Sequence, residues 1–182
     1  TVMRKTSAIV GLGVMLAGLD VFGQAALPAF HSGPWTTLPT GWTKQGTGEY
    51  GSNYDGVDGN AAKFDSGGDW IQVYFSGTPG EVSYYIQGNS LSGEYSYKIQ
   101  ESANGATWTD VVAYDSGNPI QNSTPMQATN TLLASSRYVK FLYVTKAAGN
   151  VGLDGVLIEG PGAPSVTFDP PGSQSVPVSN EL

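Results

Sequence analysis

From residue 70 to residue 158 the chain repeatedly falls into short runs in which apolar and polar side chains alternate. Tyr95, Tyr97 and Ile99 alternate with Ser96, Lys98 and Gln100; Val82, Tyr84 and Ile86 alternate with Ser83, Tyr85 and Gln87; Val139, Phe141 and Tyr143 alternate with Tyr138, Lys140 and Leu142. A period of two sends successive side chains to opposite faces, so each run reads as a strand with one face on a core. Residues 70–75, the stretch with Trp108, Val112 and Tyr114, and Val156-Leu157-Ile158 add further strands, and Ala62 and Phe64 carry the same signature. Trp70 and Trp108 open their strands in phase with core residues and are expected inside. Turn formers separate the runs: Ser76-Gly77-Thr78-Pro79-Gly80, Gly88-Asn89-Ser90, Asn104-Gly105, Asp115-Ser116-Gly117-Asn118-Pro119 and Ala147-Ala148-Gly149-Asn150. No amphipathic helix competes with this pattern. About eight short strands at such spacing predict an all-β fold, an antiparallel two-sheet β-sandwich.

The two ends of the chain read differently. Met3-Arg4-Lys5 precedes an apolar run of 12 residues, 8–19, and small residues follow at Gly23 and Ala25. A basic start, an apolar stretch too short to span a bilayer and a small-residue exit form a secretory signal peptide, here residues 1–24. The mature chain is therefore expected to be secreted or held at the cell surface, with no membrane span after the signal is removed. Residues 25–160 form the sandwich. Five of the 11 prolines fall within residues 161–182, which reads as an extended linker. Ser165-Val166-Thr167-Phe168 and Ser175-Val176-Pro177-Val178 then resemble the opening strands of a bacterial immunoglobulin-like domain, so further domains of the same chain are expected downstream.

Charge and residue inventory exclude several functions. Lys and Arg number 8 against 15 Asp and Glu, a formal charge of -7. That sign repels phosphate backbones, and no basic stripe offsets it, so nucleic acid is not an expected partner. The chain has no cysteine, which removes disulfides, thiol nucleophiles and thiolate metal sites. Asp65-Ser66-Gly67-Gly68 approaches the sequence around the nucleophile of chymotrypsin-like proteases, but the one histidine, His31, lies only 35 residues upstream. That leaves no room for the barrel such an enzyme would place between them. A G-x-S-x-G elbow is also absent. Ser66 reads instead as a turn residue at a hairpin tip, and no catalytic residue is assigned to this segment. Asp55, Asp58, Asp65 and Asp69 sit among glycine and asparagine, where carboxylates shape turns, and nothing in their spacing makes two of them a hydrolytic pair.

Three motifs in order resemble galactose-binding-like, discoidin-type modules. Residues 101–111, with Ser102, Gly105, Trp108 and Val111, are similar to the family's S-x-x-G-x-x-W-x-x-V strand-turn-strand. Ser136-Arg137-Tyr138-Val139-Lys140-Phe141 is similar to its R-Y-V-R strand, and Asp154-Gly155-Val156-Leu157-Ile158 to its closing I-D-D-V-x-I strand. The resemblance implies a jelly roll that binds carbohydrate or another surface ligand without catalysis. It also implies a structural calcium at the acid of the closing strand, Asp154. Asp55 and Asp58, in an oxygen-rich stretch, are the other candidate calcium ligands. The glutamate pair and the cysteines found in parts of the superfamily are missing here.

Sugars are held by aromatic faces with amides and carboxylates around them. The candidates for such a site are Trp35, Trp42, Tyr50 and Tyr54, which lie in a glycine-rich region outside the alternating runs. The function expected is thus a non-catalytic extracellular binding module at the front of a larger secreted protein. Two alternatives stand beside it: a structural or adhesive spacer with no ligand, and an accessory domain of an enzyme whose catalytic part lies beyond residue 182.

Overall fold

The computed structural model describes residues 23–51 and 59–162. Among the described residues twelve strands form two sheets. One holds β1 (Ala25–Ala26), β3 (Trp42–Gln45), β6 (Trp70–Ser76), β8 (Ser96–Ser102), β9 (Thr109–Tyr114) and β11 (Tyr138–Thr145), in the order β1-β6-β11-β8-β9 with β3 also on β6. The other holds β2 (Ala29–His31), β4 (Gly48–Tyr50), β5 (Ala61–Phe64), β7 (Glu81–Ser92), β10 (Met126–Thr131) and β12 (Ala148–Ile158), in the order β10-β7-β12-β5-β4 with β2 also on β12. The strand count exceeds the expected eight. The named strands pair antiparallel except for the two-residue parallel contact of β1 with β6; Gly88 of β7 also bridges to Asn122 in parallel. No α-helix occurs among the described residues.

Burial follows the alternation. Ile71, Val73 and Phe75, Tyr97 and Ile99, and Val139, Phe141 and Tyr143 are fully buried from the first sheet; Phe64, Val82, Tyr84, Ile86, Val151, Leu153 and Ile158 meet them from the second. Rings lock the layers together: Phe64 meets Tyr97 edge-on at 5.2 Å, and Tyr84 meets Phe141 at 5.5 Å. Tyr84 also donates to Asn130 Oδ1 (3.0 Å), so its hydroxyl accepts the 2.9 Å bond shared with Tyr114. That chain of hydroxyls ties β7 to β9 across the core and to β10 beside it. Burial pushes the Tyr84 phenol far above the usual range.

The positions expected to turn are corrected in three places. Residues 65–69 do not form a hairpin tip, because β5 and β6 belong to different sheets. They form an arch over the sandwich edge. The Asp69 carboxylate accepts from the Asp65 and Ser66 amides (2.9 and 2.8 Å), and Gly68 N donates to Tyr143 O (2.7 Å). Gly88-Asn89-Ser90 lies inside β7, and Ala148 already belongs to β12; the paired strands absorb both segments in a register shift between Ala148 and Asn150. Consecutive strands lie in different sheets in almost every case, and β8 to β9 is one of two exceptions. The other is β4 to β5, and the short hairpin of the first sheet stands at residues 103–108.

Trp70 and Trp108 are corrected too. With Ile71, Val73 and Phe75 facing inward, the adjacent Trp70 must face outward, and it is only half-buried. Trp108 is likewise half-buried and rests on Tyr138, an outward residue of β11.

Candidate functional site

Of the four aromatics singled out in the glycine-rich region, the three that the structure describes, Trp35, Trp42 and Tyr50, do not share an open surface. Trp35 is 0% exposed and Trp42 6%. Their rings pack 6.4 Å apart, with His31 against both at 4.6 and 5.4 Å. Trp35 Nε1 donates to Asn60 O, and Lys44 Nζ donates to the Trp35 and Thr47 carbonyls. The cluster closes one edge of the core, where β2 and β3 hand the chain from one sheet to the other. A ring packed on every side has no face left for a ligand, so Trp35 and Trp42 are removed from the binding set. Tyr50 is half-buried on β4; its hydroxyl accepts from Asn89 Nδ2 (3.2 Å) and its ring lies 5.7 Å from Lys63 Nζ. Tyr54, Asp55 and Asp58 lie outside the described residues. Asp154 is buried (1% exposed) on β12. Among the described residues no group of three or more His, Cys, Asp or Glu side chains could hold a metal ion.

A different surface has the required chemistry: the outer face of the β6-β11-β8-β9 sheet. Strand register places its side chains in three rows. Tyr74, Tyr138 and Ser102 form the first; Thr43, Gln72, Lys140, Gln100 and Asp110 the second; Gln45, Trp70, Leu142, Lys98 and Ala113 the third. The first row is extended by Trp108. Tyr74 and Tyr138 stack at 4.4 Å with planes 7° apart, and Trp108 meets Tyr138 edge-on at 6.2 Å. A polar strip thus runs between an aromatic row and a second row containing Trp70. At strand spacings the strip is about 19 Å long across five strands, and the flanking rows stand about 13 Å apart.

The hairpin that carries Trp108 is built to hold it still. Ser102 Oγ accepts from the Asn104 and Gly105 amides (3.2 and 2.9 Å), and Asn104 Oδ1 accepts from those of Ala106 and Thr107 (both 2.9 Å). Gly105 adopts φ +72°, and a Cβ there would meet the Tyr138 ring at 3.1 Å. Glycine is required twice over, by the left-handed backbone and by the ring beside it. The Ser-x-x-Gly-x-x-Trp spacing therefore has a local meaning: serine closes the turn, glycine lets the chain pass Tyr138, and tryptophan lands on it.

Charge on this face is unevenly compensated. Lys98 Nζ pairs with Asp110 Oδ2 (2.6 Å), and Gln100 Nε2 donates to Asp110 Oδ1 (2.7 Å). These bonds hold the Asp110 carboxyl below its usual range, the lysine contributing most. Lys140 Nζ instead sits 3.6 Å from the centre of the Trp108 ring, and burial lowers its pKa. Burial, with Tyr74 adding to it, raises the Tyr138 phenol, so that ring is neutral at physiological pH.

A hollow of about 200 Å³ adjoins the Trp108 end of the face, lined in part by Glu101, Ser102, Thr107, Leu133 and Ser136. Its buried Glu101 is occupied in structure: Oε2 accepts from Leu133 N (2.8 Å) and Ser136 Oγ (2.6 Å), anchoring the residues that lead into β11. The hollow is smaller than the cavities that engulf small ligands, roughly 300–1,000 Å³. An open face of this kind suits a chain laid across it.

Sequence reasoning had the three motif segments but not the face they build. The signal was present in the outward half of the alternation, where Tyr74, Tyr138 and Trp70 stand in positions usually filled by small polar residues.

No family model matches the sequence, and no curated protein matches it. Solved structures do. The K2 cleaved adhesin domain of Lys-gingipain is similar over 72% of this chain and 97% of that one, with TM-score 0.57 and 15% identity. The K1 cleaved adhesin domain of Lys-gingipain from Porphyromonas gingivalis is similar over 74% and 98%, with TM-score 0.56 and 16% identity. The CBM22-1 xylan-binding domain from Paenibacillus barcinonensis is similar over 74% and 95%, with TM-score 0.51 and 17% identity. The likeness is one of fold, and it agrees with the all-β, two-sheet sandwich that the strand pattern predicted.

Proposed function

We propose that the segment is a non-catalytic, extracellular carbohydrate-binding module that takes a polysaccharide across the outer face of the β6-β11-β8-β9 sheet. One observation carries the reading: Tyr138, stacked on Tyr74 and met edge-on by Trp108, stands beside a strip of amides and charges, Gln72, Gln100, Lys140 and Asp110. Sugar rings present C–H faces to aromatics and hydroxyls to amides, and a surface with both in alternating rows matches that chemistry. The rings already support one another, so little side-chain freedom is lost on binding. The shared fold with an adhesin domain and a xylan-binding domain is consistent with this use. The basic-apolar start of the chain supports export, and the proline-rich end supports a place ahead of other domains.

Calcium at Asp154 rests on the sequence pattern alone, and nothing in the binding reading depends on it. A shift in melting temperature between calcium and chelator would establish it.

The test is affinity electrophoresis of residues 24–160 through gels holding soluble polysaccharides of several backbones, with Trp108→Ala beside the parent protein. The expected result is retardation by at least one polymer, weakened tenfold or more by Trp108→Ala, at a stability cost of only about 1 kcal/mol because the ring is half-buried. Free migration of the parent protein through every polymer, or unaltered retardation of the variant, would overturn the reading.

A further inference from the structure

The middle row of the proposed face contains a cation without an anion. Among the described residues the ion pairs are Lys63 with Asp65 and Lys98 with Asp110; Lys140 is in neither. Its ammonium group has the Trp108 ring as its partner, 3.6 Å away, at a site that burial has partly stripped of water. A ring quadrupole is a weak substitute for a carboxylate. Lys98, Asp110 and Lys140 leave this strip with one net positive charge on a chain whose formal charge is -7.

We propose that the polysaccharide taken by this face is mostly neutral and carries isolated carboxylates, one of which pairs with Lys140. The inference rests on the carbohydrate reading above and specifies its ligand. Charge fixes both halves of the description. A lone cation needs a single anion, and a dense polyanion would be repelled by the remainder of an acidic chain. Geometry adds a coupling. The ammonium group covers one face of Trp108, so a neutral sugar must displace it before stacking there and offers it nothing in return. A sugar bearing a carboxylate gives Lys140 a stronger partner and draws it off the indole. The face thereby opened takes the neighbouring ring. Charge recognition and stacking become one event.

Carboxyl reduction converts a uronic acid into the neutral sugar without changing the backbone, which makes a matched pair of probes. The experiment measures binding of the parent protein, Lys140→Met and Lys140→Arg to polysaccharides bearing sparse uronic acids, glucuronoxylan and a uronate-substituted arabinogalactan, each before and after reduction. The parent protein is expected to prefer at least one unreduced polymer by about fivefold or more, the scale of one partly desolvated ion pair. Lys140→Arg should keep the preference. Lys140→Met should abolish it, weakening the acidic polymer about fivefold or more relative to the reduced one. A preference that survives Lys140→Met would overturn the role of Lys140. Equal binding of both forms by the parent protein would overturn the carboxylate while leaving the carbohydrate reading intact. Failure to bind any form, together with failure across the neutral panel, would overturn the carbohydrate reading itself.

Discussion

The His31–Trp35–Trp42 cluster and the Trp108–Tyr138–Tyr74 cluster use similar rings at similar separations, 4.6 to 6.4 Å in the first and 4.4 to 6.2 Å in the second. They differ in where the strands point them. Trp42 pairs in register with the inward Val73, and both are buried. Tyr138 pairs with the outward Tyr74, and both are half-buried. One cluster closes the core; the other leaves ring surface beside a polar strip. The identity of an aromatic residue thus says little about its role until strand phase is known, because a shift of one position moves it from core to surface.

The most forceful way to break this comparison is Trp35→Ala. A fully buried indole is removed, its bond to Asn60 O is lost, and the cavity sits at the junction of both sheets. Loss of about 3–5 kcal/mol is expected by denaturant titration. Polysaccharide binding per folded molecule should be unchanged. If affinity instead falls along with stability, the two clusters act together and the division drawn between them fails.

Tyr138→Ala should show the reverse pattern. The variant loses a stacked contact with Tyr74 and an edge contact with Trp108, each worth about 0.5–1.5 kcal/mol, so a destabilisation of about 1–2 kcal/mol is expected. Binding should fall much further than stability, because Trp108 and Tyr74 both lose their support. A large stability loss with intact binding would make this cluster a second core rather than a site.

The inward half of the fold was legible in the sequence, and the outward half was not. Alternation at 82–87, 95–100 and 138–143 determines which residues are buried, because one face of each strand meets the core. It does not say which strands share a sheet. Asp65-Ser66-Gly67-Gly68-Asp69 has the residues of a turn, and locally it is one, with Asp69 closing it; only the pairing of β5 with β12 and of β6 with β11 turns the hairpin into an arch. β10 carries little sequence signal for a related reason. Met126-Gln127-Ala128-Thr129-Asn130-Thr131 is an edge strand with only partial burial, and its alternation of half-buried and exposed residues is too weak to stand out from a polar loop. The candidate site is assembled from β6, β8, β11 and the hairpin before β9, segments far apart in the chain. A sequence window cannot bring Tyr74 next to Tyr138. The hairpin was recognisable because its logic is local, in Ser102, Gly105 and Trp108.

The smallest expected effect sharpens the contrast on the face itself, where Lys98 is neutralised and Lys140 is not. The folded protein holds Asp110 below the ordinary carboxylate value of 3.8 through Lys98 and then Gln100. A depressed carboxylate contributes stability that is fully present above its unfolded pKa and is lost as pH falls below 3.8 through the folded value. Both partners are substantially exposed, 30% for Lys98 and 40% for Asp110, so the contribution is only a few tenths of a kcal/mol. Asp110→Asn should therefore cost that small amount at neutral pH, and the difference from the parent protein should shrink to nothing as the solution is acidified. Binding should move the other way. Without its partner Lys98 becomes a second uncompensated cation two residues from the strip, so the acidic polymer should bind more tightly at neutral pH and the carboxyl-reduced polymer should not. If Asp110→Asn weakens both polymers alike, the carboxylate is itself a sugar ligand, and the polar row recognises hydroxyls through Asp110 as well as charge through Lys140.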